Sequence, residues 1–315
     1  MVLRNYLNKN VKRGTAVMSQ NTTYHINGKE YVLIKNYKEN ALYRASFNRL
    51  TRQTYGFDFE DWYQHRYWKE QYIPYSFLYE NEIVANVSVN LMEFNSMGKH
   101  IYPIQLGTVM THPSHRNQGL SRLLIETVIK EYENSHELFY LFANDSVLDF
   151  YPRYGFIKSE EYGYSKYFYK KADQADCRKL AMDLEADHSL LLELVNNRYP
   201  NAKTAMLGNT SLIMFYCDSF MKEHIYYIED LETAVIAEYQ DNLLMVREIF
   251  CKKPVELDRV INALLINESI LVRLGFTPSE TASYTKETVR EEDTTLFIRG
   301  KNILDNSRFP LLSHA

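Results

Sequence analysis

The stretch Val109-Met110-Thr111-His112-Pro113-Ser114-His115-Arg116-Asn117-Gln118-Gly119-Leu120-Ser121-Arg122-Leu123-Leu124 decides how this chain is read. It runs as a strand, then a basic turn carrying one glycine, then the start of a helix. Such a junction builds an anion site from backbone alone. The first helical N–H groups have no intrahelical acceptor, and the helix dipole leaves partial positive charge at that end. A phosphate or pyrophosphate is held there without a dedicated side chain. Arg116 and Arg122 add guanidinium groups able to make charge-assisted hydrogen bonds. Gly119 tolerates positive φ and puts no Cβ in the way of a ligand. Two other phosphate loops do not fit, because the stretch has neither Gly-x-Gly-x-x-Gly nor a Gly-Lys-Ser/Thr ending.

Downstream, Leu120, Leu123, Leu124, Thr127, Val128 and Tyr132 recur at helical spacing and mark one face for burial against a sheet. A strand is expected over 138–143. It is followed by Asn144-x-x-Val147-x-x-Phe150-Tyr151-x-x-x-Gly155-Phe156, read as a short helix over 146–153 with Asn144 at its cap and Gly155 at its end.

The two blocks together carry a family resemblance. Arg116-x-x-Gly119-x-Ser121 resembles the acyl-coenzyme A loop of the GNAT (GCN5-related) N-acetyltransferases, Gln/Arg-x-x-Gly-x-Gly/Ala, with Ser121 as the small departure. The second block is similar to that family's Asn-x-x-Ala-x-x-Phe-Tyr-x-x-x-Gly-Phe, with Val147 for alanine. The resemblance covers residues 22 to 172 and points to the two-domain bacterial type. It implies an α+β fold, a mixed and mostly antiparallel sheet with flanking helices, and acetyl-CoA as co-substrate with no metal. It further implies that Val109, Met110 and Thr111 offer backbone groups to the pantetheine arm where the sheet splays. Arg116, Asn117, Gln118, Gly119, Leu120, Ser121, Arg122 and Asn144 would surround the cofactor. Tyr151 would contact it and act as general acid toward the departing thiolate.

Upstream, Asn27-Gly28 signals a hairpin, 36–54 has helical spacing, and 59–72 is an aromatic-rich helix or loop. Paired strands follow over 75–79 and 82–94, with another over 101–111. Two strands, near 156–162 and 164–170, complete the first unit. The polar run 171–176 is the expected boundary, giving a catalytic domain over 22–172 and a second domain over 177–315. That second half reads as a helix over 186–197, strands near 211–216, 225–229, 232–239 and 243–250, a helix over 256–265, and strands near 281–287 and 294–299. The order echoes the first half, down to Leu274-Gly275-Phe276 beside Tyr154-Gly155-Phe156. A degenerate second copy of the same fold is expected. The residues after 250 hold no Arg-x-x-Gly-x-Gly/Ser, so this copy should bind no cofactor of its own.

A length of 315 residues favours two domains, and a net charge of −4 gives no global basic field for nucleic acid. No apolar run is long enough for a membrane span. Residues 1–21 read as a disordered or mis-assigned extension. Cys177, Cys217 and Cys251 lack disulfide or zinc spacing, so no metal site and a reducing, cytoplasmic setting are expected. Self-association stays open.

The acceptor pocket is expected at Trp62, Tyr67 and Trp68, with Tyr55 and Phe57 nearby, because aromatic faces attract ammonium groups. Asp58, Glu60 and Asp61 would favour a cationic acceptor. The general base stays open among His112, Glu93, which sits with Gln105 on neighbouring expected strands, water, and the terminal carboxylate of Ala315, which some two-domain relatives bring into the site. The expected activity is transfer of an acetyl group to a small amine, aminoglycoside-like compound or peptide amine. The rival reading is a non-catalytic acyl-CoA-binding regulatory module.

Overall fold

Residues 22–315 are described by a computed structural model of the chain, so the expected 1–21 extension lies outside the described residues. The opening hairpin is β1 (Thr22–Ile26) and β2 (Lys29–Lys35), with Asn27 and Gly28 both at positive φ in the turn. Helix α1 (Ala41–Tyr55) begins where the Asn40 side chain accepts from the Leu42 and Tyr43 amides. Then come α2 (Glu60–Gln64), β3 (Tyr72–Tyr79), β4 (Glu82–Leu91), β5 (Glu93–Ser96), β6 (Lys99–Ile101), β7 (Ile104–Thr111), α3 (Leu120–Tyr132), β8 (Leu138–Ala143), β9 (Ile157–Lys158) and β10 (Tyr162–Tyr169). The second half holds β11 (Cys177–Lys179), α4 (Glu185–Asn196), β12 (Thr204–Leu207), α5 (Thr210–Cys217), β13 (Ile225–Ile228), β14 (Thr233–Gln240) and β15 (Leu243–Cys251). It ends with α6 (Leu257–Leu264), β16 (Ser269–Leu274), β17 (Thr285–Thr288) and β18 (Thr295–Gly300).

The class is α+β, as expected. An eight-stranded sheet runs β1-β2-β3-β4-β7-β8-β18-β9, and a seven-stranded one runs β11-β13-β14-β15-β16-β10-β17. Strands β12-β5-β6 form a small third sheet joining the halves. Pairing is antiparallel except β7 with β8 and β15 with β16. Each parallel pair flanks a crossover helix, α3 or α6. Leu120, Leu124, Ile125, Val128 and Ile129 of α3 are buried against the first sheet. Burying each such side chain is worth about 1.5–3 kcal/mol.

Three expectations need correction. The run 211–216 is helix α5, not a strand. Asn209 caps it by accepting from the Leu212 amide at 3.1 Å, and its Leu212, Ile213 and Met214 are all buried, so no periodicity betrays the helix. The expected helix 146–153 is two 3-10 turns, Asp145–Val147 and Tyr151–Tyr154. The strand expected to complete the first unit, β10, pairs with β16 and β17 of the second sheet. Its place beside β8 is taken by β18, in register from Thr295 opposite Ala143 to Gly300 opposite Leu138. The halves thus exchange strands.

Candidate active site

The site begins with a bulge in β7. Its register with β4 shifts between Asn86 and Ser88, and Thr108 sits at φ +48. A non-glycine residue stays in that region only when its surroundings over-determine it. Here they do. Asn86 Nδ2 donates to the Thr108 carbonyl at 2.8 Å, and Asn86 Oδ1 accepts from Ser76 Oγ at 2.7 Å. The Tyr72 and Thr108 hydroxyls lie 2.8 Å apart, and Ser88 Oγ donates to Tyr72 at 2.8 Å. Beyond this bulge the sheet opens. Strand β8 pairs with β7 only at Ile104–Phe139 and Gln105–Tyr140, so from Leu106 onward that edge of β7 has no strand beside it. The expected splay is present.

At the open end lies the loop expected to hold phosphate. After the 3-10 turn Pro113–His115 the chain passes through Asn117 at φ +60 and Gly119 at φ +79 into α3. Space is open where a Gly119 Cβ would project. Leu123 N bonds back to the Gly119 carbonyl, which leaves the amides ahead of it in the first turn without intrahelical acceptors. Ser121 Oγ lies 2.6 Å from Thr111 Oγ1, tying helix to strand. Arg116 Nε donates to the Thr111 carbonyl at 3.2 Å. The loop is clamped from behind: the Tyr31 hydroxyl donates to Gln118 Oε1 at 2.7 Å and lies 2.9 Å from His115 Nδ1. Gln118, expected at the cofactor, is an anchor whose side chain does not line the cleft. Val109, Met110, Thr111, Arg116, Asn117, Gly119, Leu120, Ser121 and Arg122 do line it.

Asn144 and Tyr151 line the same cleft. Asn144 Oδ1 accepts from the Ser146 amide at 2.9 Å, so it caps the turn while facing the cleft. Tyr151 is 5 % exposed, its ring 5.2 Å from that of Phe150 and 5.8 Å from that of Phe297, a residue of the exchanged strand β18. Burial pushes its phenol well above the usual tyrosine range, so it keeps its proton at neutral pH. Arg153, not among the expected site residues, lines the cleft with Arg116 and Arg122. It lies inside the Phe-Tyr-x-x-x-Gly-Phe block, so its position was there to be read.

The cleft holds about 1020 Å³, and its far side belongs to the second half. Leu212, Phe215, Tyr216 and Phe220 line it, together with His314 and Ala315. The tail reaches there along a pinned path. Phe309 is fully buried and stacks on Tyr140 at 4.2 Å. Its amide donates to Glu161 Oε1 at 2.8 Å, and the Leu311 amide donates to the Gly275 carbonyl at 2.9 Å. The Tyr216 hydroxyl donates to the His314 carbonyl, and the His314 ring stacks 3.5 Å from Phe142. Burial holds the His314 pKa well below the usual histidine range, so the ring is neutral. A Cβ on Gly107 would collide with the backbone carbonyl of Ala315 and stand 3.2 Å from Asn90 Nδ2. Buried beside this point, Asn90 Nδ2 and both polar atoms of Gln105 lack hydrogen-bond partners.

Of the other proposed bases, His112 caps the 3-10 turn through Ser114, and Glu93 Oε1 lies 3.0 Å from His100 Nδ1; neither lines the cleft. Two acceptor-side residues are also corrected. Trp68 is 3 % exposed and donates to the Tyr72 carbonyl, while Tyr67 is buried with its hydroxyl 3.4 Å from His188 Nε2. Both are core. Trp62 does reach the cleft wall, its indole donating to the Ser211 carbonyl at 2.8 Å. No cluster of metal-ligating side chains occurs among the described residues. No described helix is long and apolar enough to cross a membrane.

Residues 38–158 match the model of the acetyltransferase (GNAT) domain. Among curated proteins, none matches the sequence. Solved structures do match in fold. A GCN5-related N-acetyltransferase from Kribbella flavida is 15 % identical with a TM-score of 0.54, over 86 % of this chain and 71 % of that one. Eis1 from Mycobacterium abscessus is 12 % identical with a TM-score of 0.53, over 81 % and 70 %. A GCN5-related N-acetyltransferase from Anabaena variabilis is 13 % identical with a TM-score of 0.51, over 87 % and 73 %.

Proposed function

We propose, from the match of residues 38–158 to the GNAT acetyltransferase domain, that this chain moves an acetyl group from acetyl-CoA to the amine of a small molecule or peptide by direct attack. The observation that carries the reading is the convergence on one cleft of the helix tip beyond Gly119, the splayed edge of β7 and Tyr151. Acetyl-CoA, when bound, supplies an activated acyl thioester. The amides of the first turn of α3 and the guanidinium groups of Arg116, Arg122 and Arg153 would hold its phosphates. Val109, Met110 and Thr111 would hold the pantetheine arm through their backbone, and Tyr55, which donates to the Val109 carbonyl at 2.9 Å, would release that bond.

Alignment of amine and thioester is the largest contribution, since good intramolecular geometry is worth about 7–11 kcal/mol. A strand amide near the bulge would stabilise the developing oxyanion. The ammonium must first lose a proton, and where Ala315 ends the chain its carboxylate is the acceptor we favour, directly or through water. As nitrogen bonds to the carbonyl carbon and the carbon–sulfur bond breaks, Tyr151 would give its proton to sulfur. Asn90 and Gln105, buried with unpaired amide groups near the tail, are suited to orient that carboxylate.

Calorimetric titration with acetyl-CoA, followed by thiol release across a panel of amines, tests the reading. Uptake with amine-dependent thiol release supports it. Uptake without transfer to any amine would leave the rival acyl-CoA-binding module, and no uptake would remove both. Deletion of His314-Ala315 should lower kcat at least tenfold with acetyl-CoA affinity retained; unchanged turnover would exclude the Ala315 carboxylate as base. The three cysteines are unpaired, which suits a reducing compartment, and the cytoplasm is part of this proposal.

A further inference from the structure

The acceptor end of the cleft is walled by aromatic rings from both halves. Phe57 lies 5.8 Å from Phe215 and 5.6 Å from Phe220, and Phe59 stacks on Phe215 at 5.3 Å. Trp62 closes the back, 5.8 Å from Phe215. Phe220 stands 51 % exposed at the rim. Contiguous apolar surface of this kind, open to water at its rim, marks a binding face.

No side-chain carboxylate lines that end of the cleft among the described residues. Asp293 is the only side-chain carboxylate lining the cleft among the described residues, and it accepts from the Asp145 amide at the cofactor end. Of the acids that the sequence places near this aromatic collar, Asp58 and Glu60 are engaged elsewhere and Asp61 does not line the cleft. Asp58 pairs with Arg52, and Glu60 pairs with Arg44 at 2.9 Å. Asp218 lies 3.4 Å from His188 and 3.8 Å from His65, and does not line the cleft. The neutral His314 ring adds no charge. A second ammonium on the acceptor would therefore shed its water with no carboxylate to meet, at high cost. One ammonium has partners in the ring faces.

We propose that the acceptor is an amine on an apolar aryl or alkyl body, with no second cationic group. This rests on the acetyltransferase reading above and narrows it. The test compares 2-phenylethylamine, a series of straight-chain alkylamines, spermidine and kanamycin as acceptors for the full-length protein. We expect kcat/KM for 2-phenylethylamine to exceed that for spermidine and kanamycin at least tenfold. Along the alkylamines it should rise about fourfold per methylene until the collar is filled. The rim variant Phe220→Asp should lower the aryl amine at least fivefold and raise spermidine. Equal or reversed preferences would overturn this inference while leaving the acetyltransferase intact. Transfer to none of the amines would count against the acetyltransferase reading, and calorimetry of 2-phenylethylamine into the coenzyme A complex would then decide the pocket. Uptake there would support an apolar-amine site, and no uptake would overturn it.

Discussion

At the scale of single residues, Gly119, Tyr151 and Gly107 separate the proposed roles. Gly119 has open space at its Cβ position but φ +79. Any side chain there costs roughly 1–2 kcal/mol of backbone strain, and only an anionic one would also repel a phosphate. Gly119→Ala should lower Tm by a few degrees and keep acetyl-CoA affinity near the parent's, whereas Gly119→Glu should weaken it at least a hundredfold by calorimetry. Parent-like affinity in Gly119→Glu would mean that the phosphates bind elsewhere. Tyr151→Phe should lower kcat ten- to a hundredfold and leave KM for acetyl-CoA within about twofold. Because burial raises the phenol's pKa, the parent's kcat should show no fall at high pH from loss of this proton within the ordinary tyrosine range. A descending limb near pH 9 that vanishes in Tyr151→Phe would contradict the assigned environment. Gly119, Asn144 and Tyr151 were legible because turn and cap chemistry is local, a matter of a few residues and their φ angles. Tyr67 and Trp68 were not. Aromatic residues just past a short helix suit a pocket and a core equally, and depth is decided here by groups such as the Ser211 hydroxyl, which donates to the Tyr67 carbonyl from far along the sequence.

At the scale of elements, the hairpins and the capped helices α1 and α3 followed from short-range signals, whereas strand exchange did not. Nothing in the sequence of β10 says that it will pair with β16 and leave β8 to β18, since both edges demand the same alternating pattern. The tail is the element whose energetics are most exposed to test. Phe309 is fully buried on Tyr140, so Phe309→Ala should cost about 3–5 kcal/mol in denaturant unfolding and also reduce turnover by loosening Ala315. A loss under about 1 kcal/mol would mean the tail is not docked as described. Glu161, which holds the Phe309 amide, has its pKa raised to about 7, chiefly by burial and against the pull of Arg308. Its folded-state pKa thus exceeds the unfolded value, so between pH 4.5 and 7 the folded chain binds more protons than the unfolded one. The contribution of this group to stability must then fall as pH rises through that window and level off above it, by up to about 3 kcal/mol. Glu161→Gln keeps an acceptor for Phe309 and should flatten that slope. If the parent and Glu161→Gln have parallel stability profiles from pH 4.5 to 7.5, the carboxyl is not buried as described.

At the scale of the whole molecule, the two halves share one site and one set of sheets. Strand β18 and its Phe297 lie beside β8 and behind Tyr151, while β10 completes the second sheet. Strand β12 pairs with β5, and α5 supplies the acceptor wall through Leu212, Phe215 and Tyr216. Separating the halves would bare the edges of β8 and β16 and the apolar faces between them. Opening one half must therefore open the other, and the full chain should unfold in a single endotherm with calorimetric and van't Hoff enthalpies agreeing. Acetyl-CoA binds one half in this scheme, yet at a hundredfold excess over its Kd it should stabilise the whole by about 2.7 kcal/mol and move that one transition without splitting it. The same coupling accounts for a second half with no phosphate loop of its own. Its β15–β16 pair has the topology of β7–β8, but Leu311 packs on Gly275 beside it, so this part of the second half serves to seat the tail. Two resolved endotherms, only the upper or lower of which shifts with acetyl-CoA, would show that the halves are energetically independent and that the exchanged strands do not bind them into one cooperative unit.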